Sequence, residues 1–372
     1  HFIRSAEIVR SLAKAGCDVC FLNGGEIVPG FELPAAVEMI NLSPLKADAE
    51  FRDIQTIDGL GLDEIKEMRK RRIIDEYERL VPEVLVIELF PFGRLRFGDE
   101  LIPLLELAKF SGRFTEVVCS LRDILVGKRA QRQFEEYACQ IVNRYFDLLL
   151  VHSDPSFQRL EETFPRVADL ECPVVYTGFV KQPLDEESGP IDDLPAAHFG
   201  EKTIVVSIGG GRVGIELIDC AIEASALLAG GLRHRMFIFT GPYMSEAEFG
   251  QLQEKTAKAP GIRMERYTTR FISYLRRADL SISMAGYNTC MNIVATGARA
   301  IVYPFTGNNN AEQSIRADKL STLGIVDVIR RQELKPGNLA EMIVAALSRP
   351  EHENPVLDLN GAEKTAMLLA HR

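Results

Sequence analysis

The sequence predicts an α/β protein of two doubly wound domains facing a cleft, and three observations carry that expectation. The chain has 372 residues, more than one core usually serves, so two domains of roughly 180 residues each are the natural division. Apolar runs of strand length alternate with amphipathic stretches of helical period along the whole chain, as repeated strand–helix–strand units require. Glycines stand between strand and helix in SIGGGRVG, from Ser207 to Gly214, and again at Ala285-Gly286, where a parallel sheet passes its chain to a helix N-terminus.

The first domain is read as residues 1–183. Helix 3–15 carries Ile3, Ile8, Val9 and Leu12 on one recurring face. Strand 17–22 follows, then helix 63–80, strand 84–89, helix 99–110, strand 115–119, helix 128–144 and strand 147–152, with a short strand at Val174-Val175. No element is assigned between 22 and 63. The chain begins at His1, already inside a helical pattern, so a strand and a glycine loop are expected to precede it. Lys181 to Gly200, KQPLDEESGPIDDLPAAHFG, concentrates prolines, glycines and acids and reads as the linker.

The second domain is read as residues 200–372. Its alternation is strand 203–208, helix 214–229, strand 235–239, helix 245–256, strand 262–265, helix 271–277 and strand 279–284. A helix opening at Tyr287 and an apolar strand from Ala300 to Phe305 come next, then a polar loop from Thr306 to Gln313. A last helix near 361–370 is expected to pack back on the first domain.

Composition narrows the function. Apolar content of 46% and charged content of 26% are ordinary for a globular protein, and no run approaches a membrane span. A net charge of −10 argues against a nucleic-acid binder. The seven cysteines lie mostly inside apolar patterns, which is reduced, cytoplasmic usage, and Cys17-x-x-Cys20 reads as core cysteines after a helix stop. The six histidines are scattered and no Asp-x-Asp occurs, so metal independence is expected. Lys66, Arg69, Lys70, Arg71 and Arg72 share a helix with interspersed Glu64, Glu67, Asp75, Glu76 and Glu78, the pattern of a solvated face, with a membrane-surface helix as the alternative.

The candidate site residues follow from their places at strand ends. Gly209, Gly210 and Gly211 let amides approach a diphosphate at a helix N-terminus, and Arg212 offers it a cation or is a solvated surface charge. Ala285-Gly286 turns the backbone, and Tyr287, Asn288 and Thr289 open a helix whose N–H groups can face an anion. Glu312 and Gln313 are placed to hydrogen-bond vicinal hydroxyls of a sugar. In the first domain Glu88 and Asp123 end apolar strands, so their carboxylates are expected to project from the sheet's carboxyl end. Arg94, Arg96 and Arg122 lie close by and point to an anionic acceptor, or are paired with those carboxylates. Histidine titrates near neutral pH, so His1, with Glu88 and Asp123, is a candidate for the general base, or it hydrogen-bonds a donor phosphate.

This order of motifs resembles the MurG-like glycosyltransferases, bacterial enzymes of the GT-B fold that add a sugar from a nucleotide-sugar. The block SISMAGYNTCMNIVATGARAIVYPFTGNNNAEQSIRADK, beginning at Ser281, carries the likeness with the 207–214 loop, RFISYLRRADL from Arg270 to Leu280, and Cys172 to Val180. HFIRSAEIVRSLAKAGCDVCFLNGG is similar to the family's first helix and second strand. LVIELFPFGRLRF and VVCSLRDILVGK resemble a group of predicted bacterial glycosyltransferases with a family 28-type C-terminal domain. The resemblance implies two Rossmann-like domains, the first for the acceptor and the second for the donor, and no cofactor beyond a nucleotide-diphosphate sugar. It also implies an inverting, metal-independent transfer of a hexose or N-acetylhexosamine from a UDP-sugar.

By the same resemblance Tyr267 covers the base, as a stacking ring or only a packed tyrosine, and Thr268 offers backbone groups to the base edge. Lys181 is a second basic residue, and His1 follows a glycine loop facing the acceptor. Asn292 departs from the pattern, since the family typically has a glutamate there for the ribose hydroxyls. A carbohydrate or lipid-linked acceptor, a role in cell-envelope polysaccharide and a cytoplasmic location with peripheral contact at the inner membrane face are expected. A nucleotide-sugar hydrolase, a 2-epimerase and a non-catalytic donor-binding subunit are the alternatives on the same fold.

Overall fold

The computed structural model describes residues 2–28, 30–47, 54–56, 61–127, 130–184, 200–307, 311–350 and 355–371. The chain divides into two compact units, one of His1–Ile27, Phe31–Lys181 and Leu357–Arg372, the other of Val28–Gly30 and Gln182–Val356. The expected linker falls largely on residues outside the described ones, as does His1. Among the described residues no helix is long and apolar enough to cross a membrane.

The first unit runs α1 (Phe2–Lys14), β1 (Val19–Asn23), β2 (Val37–Asn41), β3 (Leu45–Ala47), β4 (Ile54–Thr56) and α2 (Leu62–Leu80). It continues with β5 (Val84–Glu88), α3 (Gly98–Phe110), β6 (Glu116–Arg122), α4 (Gln131–Tyr145), β7 (Leu148–His152) and β8 (Val174–Tyr176). Strands β5-β6-β7-β8 form one parallel sheet in chain order, β1 and β2 a parallel pair, and β3 and β4 an antiparallel one. Phe90, Phe92, Leu105, Leu149 and Phe164 fill its core.

Strands β2, β3 and β4 were not expected. VEMIN in β2 buries only Val37 and Ile40 fully and lacks strict alternation, while β3 and β4 have 3 residues each, too short for a period to register. Helix α2 carries the basic run as read, with Lys70, Arg71 and Arg72 tied to Glu67 and Glu76 along the same helix. Arg69 departs from it. It is buried, pairs with Glu100 of α3 at 2.8 Å and donates to the carbonyls of Gly24 and Ser43 at 3.0 and 2.6 Å, bolting two loops to the helix.

The second unit runs β9 (Lys202–Ser207), α5 (Ile215–Leu228), β10 (His234–Phe239), α6 (Glu246–Thr256), β11 (Ile262–Glu265) and α7 (Phe271–Arg277). It ends with β12 (Leu280–Met284), α8 (Tyr287–Thr296), β13 (Ala300–Tyr303), α9 (Glu312–Thr322), β14 (Val326–Val328) and α10 (Pro336–Ser348). Its single parallel sheet has the order β11-β10-β9-β12-β13-β14. Strands β12 and β13 are buried along their whole length; β13 reads as an unbroken apolar run, while Ser281 and Ser283 of β12 satisfy each other at 2.8 Å. Ser245 caps α6 and Glu248 closes the reciprocal half of the box.

The final helix, α11 (Gly361–Leu369), belongs to the first unit. Ala362 packs with Ile8 and Val180, and Leu369 with Leu148 and Leu150. The strand-like stretch before it is fastened by backbone: Phe179 N donates to Asp358 O at 2.7 Å, Gly361 N to Phe179 O at 2.9 Å, and Asp358 N to the Asp154 carboxylate at 3.0 Å.

Candidate functional site

In the second sheet β9 lies between β10 and β12, and Ser207 is in register with Ser283. Strand order reverses at this pair, and the carboxyl ends of strands at such a switch point are where sheets of this kind bind ligands. The two glycine turns found in the sequence leave these two strands.

Close packing accounts for part of the glycine loop. Gly211, at φ 88°, would carry a Cβ 2.5 Å from the Thr240 carbonyl oxygen, and Gly214, at φ 98°, one 2.4 Å from Met284 Sδ. Gly210 is different, since a Cβ there would meet only Tyr243 at an ordinary 3.6 Å. The neighbouring loop after β10 is sewn on, with Tyr243 N donating to Gly210 O at 3.0 Å and the Arg212 guanidinium 5.1 Å from the Tyr243 ring centroid. Gly286 corrects an expectation: its φ of −68° suits any residue and its Cβ position is open, so the turn does not require glycine. No side chain caps α8 after it, where Tyr287, Asn288 and Thr289 form the first turn.

Glu312 and Gln313 open α9, but not as an outward pair. Glu312 is buried against Arg316 at 2.8 Å, Arg316 also donates to Ala285 O at 3.0 Å, and the Gln313 side-chain oxygen accepts from Phe305 N at 3.0 Å. Asn292 is 3% exposed and donates to Gln182 at 2.8 Å, and its oxygen is a buried acceptor without a donor among the described residues. Half-buried Tyr267 and Thr268 lie between β11 and α7, with Thr268 Oγ1 accepting from Arg270 N at 3.1 Å. Lys181 is the last residue of the first unit's long segment, next in the chain to Gln182, the partner of Asn292.

In the first unit Glu88 ends β5, and the chain turns away at once. Leu89 has φ 68° and Phe90 N donates back to Glu88 O at 2.9 Å, a three-residue turn of left-handed sense that costs backbone strain. Arg4 of α1, 2% exposed, forms an ion pair with Glu88, and Ser5 donates to the same carboxylate at 3.2 Å. Burial pushes the Glu88 carboxyl up, but Arg4, helped by Arg94, outweighs it and holds the group below its ordinary value. Desolvation lowers Arg94, and Arg4, Arg122 and Arg69 push it the same way against Glu88. Two guanidinium groups, Arg4 and Arg94, thus act on one carboxylate. Arg96 is exposed on the turn 95–97, as is Arg94 just before it.

Asp123 does not project outward as expected. It is fully buried beside buried Ile124 and Leu125, and its Oδ1 accepts from Ile124 N at 2.9 Å.

Sequence reasoning missed a buried polar row across this sheet. Ser120 Oγ lies 3.5 Å from the Glu88 carboxylate and 2.8 Å from His152 Nε2, and His152 Nδ1 lies 2.8 Å from Thr177 Oγ1. His152 ends the apolar run LLLVH as Glu88 ends VLVIE, so the same strand-end signal was present. Arg4 and Arg316 gave no signal beyond helix periodicity.

Burial, with Arg4 acting the same way and Glu88 against it, pushes His152 down to about 3. An unfolded histidine titrates near 6.5. The unfolded chain therefore binds the extra proton between about pH 6.5 and 3, and stability falls on acidification through that window by up to about 1.4 kcal/mol per pH unit. Glu88, lowered in the fold, adds loss of the same sign at the acid end. Urea unfolding at pH 7.5, 6.0 and 5.0 is expected to show this slope in the native chain and a shallower one in His152→Gln. Parallel pH dependences would contradict it.

Residues 204–368 match the family model described as Glycosyltransferase family 28 C-terminal domain. A UDP-N-acetylglucosamine--N-acetylmuramyl-(pentapeptide) pyrophosphoryl-undecaprenol N-acetylglucosamine transferase of Cupriavidus necator is 28% identical over 177 residues, 45% of this chain and 47% of that protein. An uncharacterized glycosyltransferase of Methanopyrus kandleri is 21% identical over 207 residues, 55% of this chain and 56% of the other. The chain spans about half the length of the curated relatives it matches. Among solved structures, Acinetobacter baumannii MurG superposes with a TM-score of 0.56 at 14% identity, covering 99% of this chain and 95% of that one. The chain has the GT-B fold and is MurG-like in it.

Proposed function

We propose that this chain is a glycosyltransferase that binds a nucleotide-diphosphate sugar on its second unit and transfers a hexosyl or N-acetylhexosaminyl group to a hydroxyl of an acceptor held by its first. The carrying observation is the pair of glycine turns flanking the switch point of a sheet that matches the family 28 C-terminal domain. In the proposed reaction the acceptor oxygen bonds to the anomeric carbon from the face opposite the diphosphate, with inversion. The bond to the diphosphate breaks, and the charge left on it falls against the loop amides, the α5 N-terminus and Arg212, which take the place of a divalent metal.

UDP is the proposed nucleotide, supported by the printed name of the Cupriavidus relative. Asn292 stands where the resembled family has its ribose-binding glutamate, and its unfilled acceptor oxygen suits a ribose hydroxyl. The same name supports a lipid-linked acceptor, reached from the cytoplasm at the membrane face, and the arginines about Glu88 favour one that is anionic. The base is proposed among His1, Glu88 and Asp123. Pairing with Arg4 makes Glu88 a weak base and favours a role orienting the acceptor hydroxyl, while burial sets Asp123 back.

Thermal-shift titration with UDP-, dTDP- and GDP-sugars tests the donor site. A UDP-sugar at 100 times its Kd is expected to stabilise the chain by about 2.7 kcal/mol, and Asn292→Ala to weaken that binding by about 1–3 kcal/mol. Stabilisation by no nucleotide-sugar would overturn the reading, and free sugar released without an acceptor would mark a hydrolase.

A further inference from the structure

We propose that Ser120 and His152 are positioning residues for Glu88, joined to it by a one-way line of hydrogen bonds that starts at Thr177 and ends on the carboxylate. The line crosses the first unit's sheet at its carboxyl edge, from the end of β8 through β7 and β6 to β5. Ser120, His152 and Thr177 are all buried, so water does not compete for their partners.

Its direction follows from chemistry at the Glu88 end. An ionised carboxylate only accepts hydrogen bonds, and Arg4 holds Glu88 ionised. Ser120 must then turn its single proton to Glu88, across 3.5 Å, and use its oxygen as the acceptor toward His152 Nε2 at 2.8 Å. That requires the proton of the neutral imidazole to sit on Nε2. Nδ1 is left as an acceptor, and the Thr177 hydroxyl, 2.8 Å away, donates to it. The charged groups facing the ring are Arg4 and Glu88.

Glu88 is thereby held by donors from two elements, Arg4 and Ser5 of α1 and Ser120 of β6. One carboxylate rotamer survives, and the tautomer of a histidine two strands away reports it. The functional weight of this line rests on reading Glu88 as the group that orients the acceptor hydroxyl; the line itself stands on geometry alone.

Glu88→Gln reverses every bond. Arg4 keeps an oxygen facing it, so the new amide NH2 takes the site beside Ser5 and Ser120 and donates to Ser120. Ser120 then donates to Nε2, the imidazole proton moves to Nδ1, and Thr177 accepts from it, turning its own proton to the Gly178 carbonyl 3.2 Å away. The test is long-range ¹H–¹⁵N correlation on the full chain labelled at histidine, with His152 assigned by its loss in His152→Gln. The expected result is the Nε2–H tautomer in the native chain, the Nδ1–H tautomer in Glu88→Gln, and no such exchange when Glu88→Gln is made in Ser120→Ala. A native Nδ1–H tautomer, or one unmoved by Glu88→Gln in a folded chain, overturns the proposal. Should Glu88→Gln not fold, the native tautomer decides alone. Nucleotide-sugar binding, read by thermal shift, is unaffected by either outcome, so failure here and failure of the donor reading are distinguishable.

Discussion

Arg316→Ala is expected to destabilise the chain by about 3–5 kcal/mol, the usual result of removing one partner from a buried ion pair. Arg316 is 0% exposed, and its guanidinium holds Glu312 at 2.8 Å and the Ala285 carbonyl at 3.0 Å. Alanine would strand a buried carboxylate and a buried carbonyl together. At about 2–4 °C per kcal/mol for a unit of this size, the midpoint should fall by on the order of 10 °C. Because Ala285 begins the turn beside the switch point, nucleotide-sugar affinity should fall with it. The double variant Arg316→Met, Glu312→Gln removes both charges and should recover most of the stability, which separates a stranded charge from lost packing. A single-variant loss below about 1 kcal/mol in urea unfolding would mean that the pair is not sealed from water.

Gly211→Ala is expected to fail for a backbone reason. A non-glycine residue held at left-handed φ costs about 1–2 kcal/mol, and here the added Cβ also meets Thr240 O at 2.5 Å and Met244 N at 2.9 Å. Both obstacles are main chain and cannot swing aside, so the loop after β10 must shift, and a total loss of about 3 kcal/mol or more is expected. Gly210→Ala is the matched control. Its Cβ makes an ordinary contact, so stability should hold within about 0.5 kcal/mol. On the proposed donor site its nucleotide-sugar affinity should still drop, since the methyl would stand between the loop amides and the diphosphate. Unchanged affinity in Gly210→Ala would place the donor elsewhere, whatever happens to Gly211→Ala.

Where sequence reasoning succeeded, the signal was periodic and local. The second unit's central strands are buried almost throughout and its helices bury one face, so apolar runs and 3.6-residue spacing marked every element from 202 to 284 within a residue or so. Strand order came through only as the two glycine turns, which mark where strands hand over to helices but not which strands are neighbours. Failures share a cause. Glu312 was taken for an open hydroxyl ligand because spacing says nothing of Arg316 one turn on turning inward, and Asp123 was taken to project because a strand end does not show which way the next bend goes. Arg69 was counted on a solvated face although α2 brings it against Glu100, a partner set by tertiary packing alone. His152 was legible by the rule that found Glu88, but a histidine closing an apolar strand is silent about the hydroxyls waiting on either side.

The return of residues 357–371 to the first unit also orders the protein's birth. A ribosome makes α1, with Ile8 awaiting Ala362, and the Phe179 backbone awaiting Asp358 and Gly361, well before it makes the segment that covers them. The second unit's run from Gln182 to Val356 is complete before that segment emerges, so its sheet can assemble while the first unit is still open at one side. Closure of the first unit thus waits for residues 357–371, and translation that stops after Pro350 would release a first unit that stays unsealed, a natural target for proteolytic quality control.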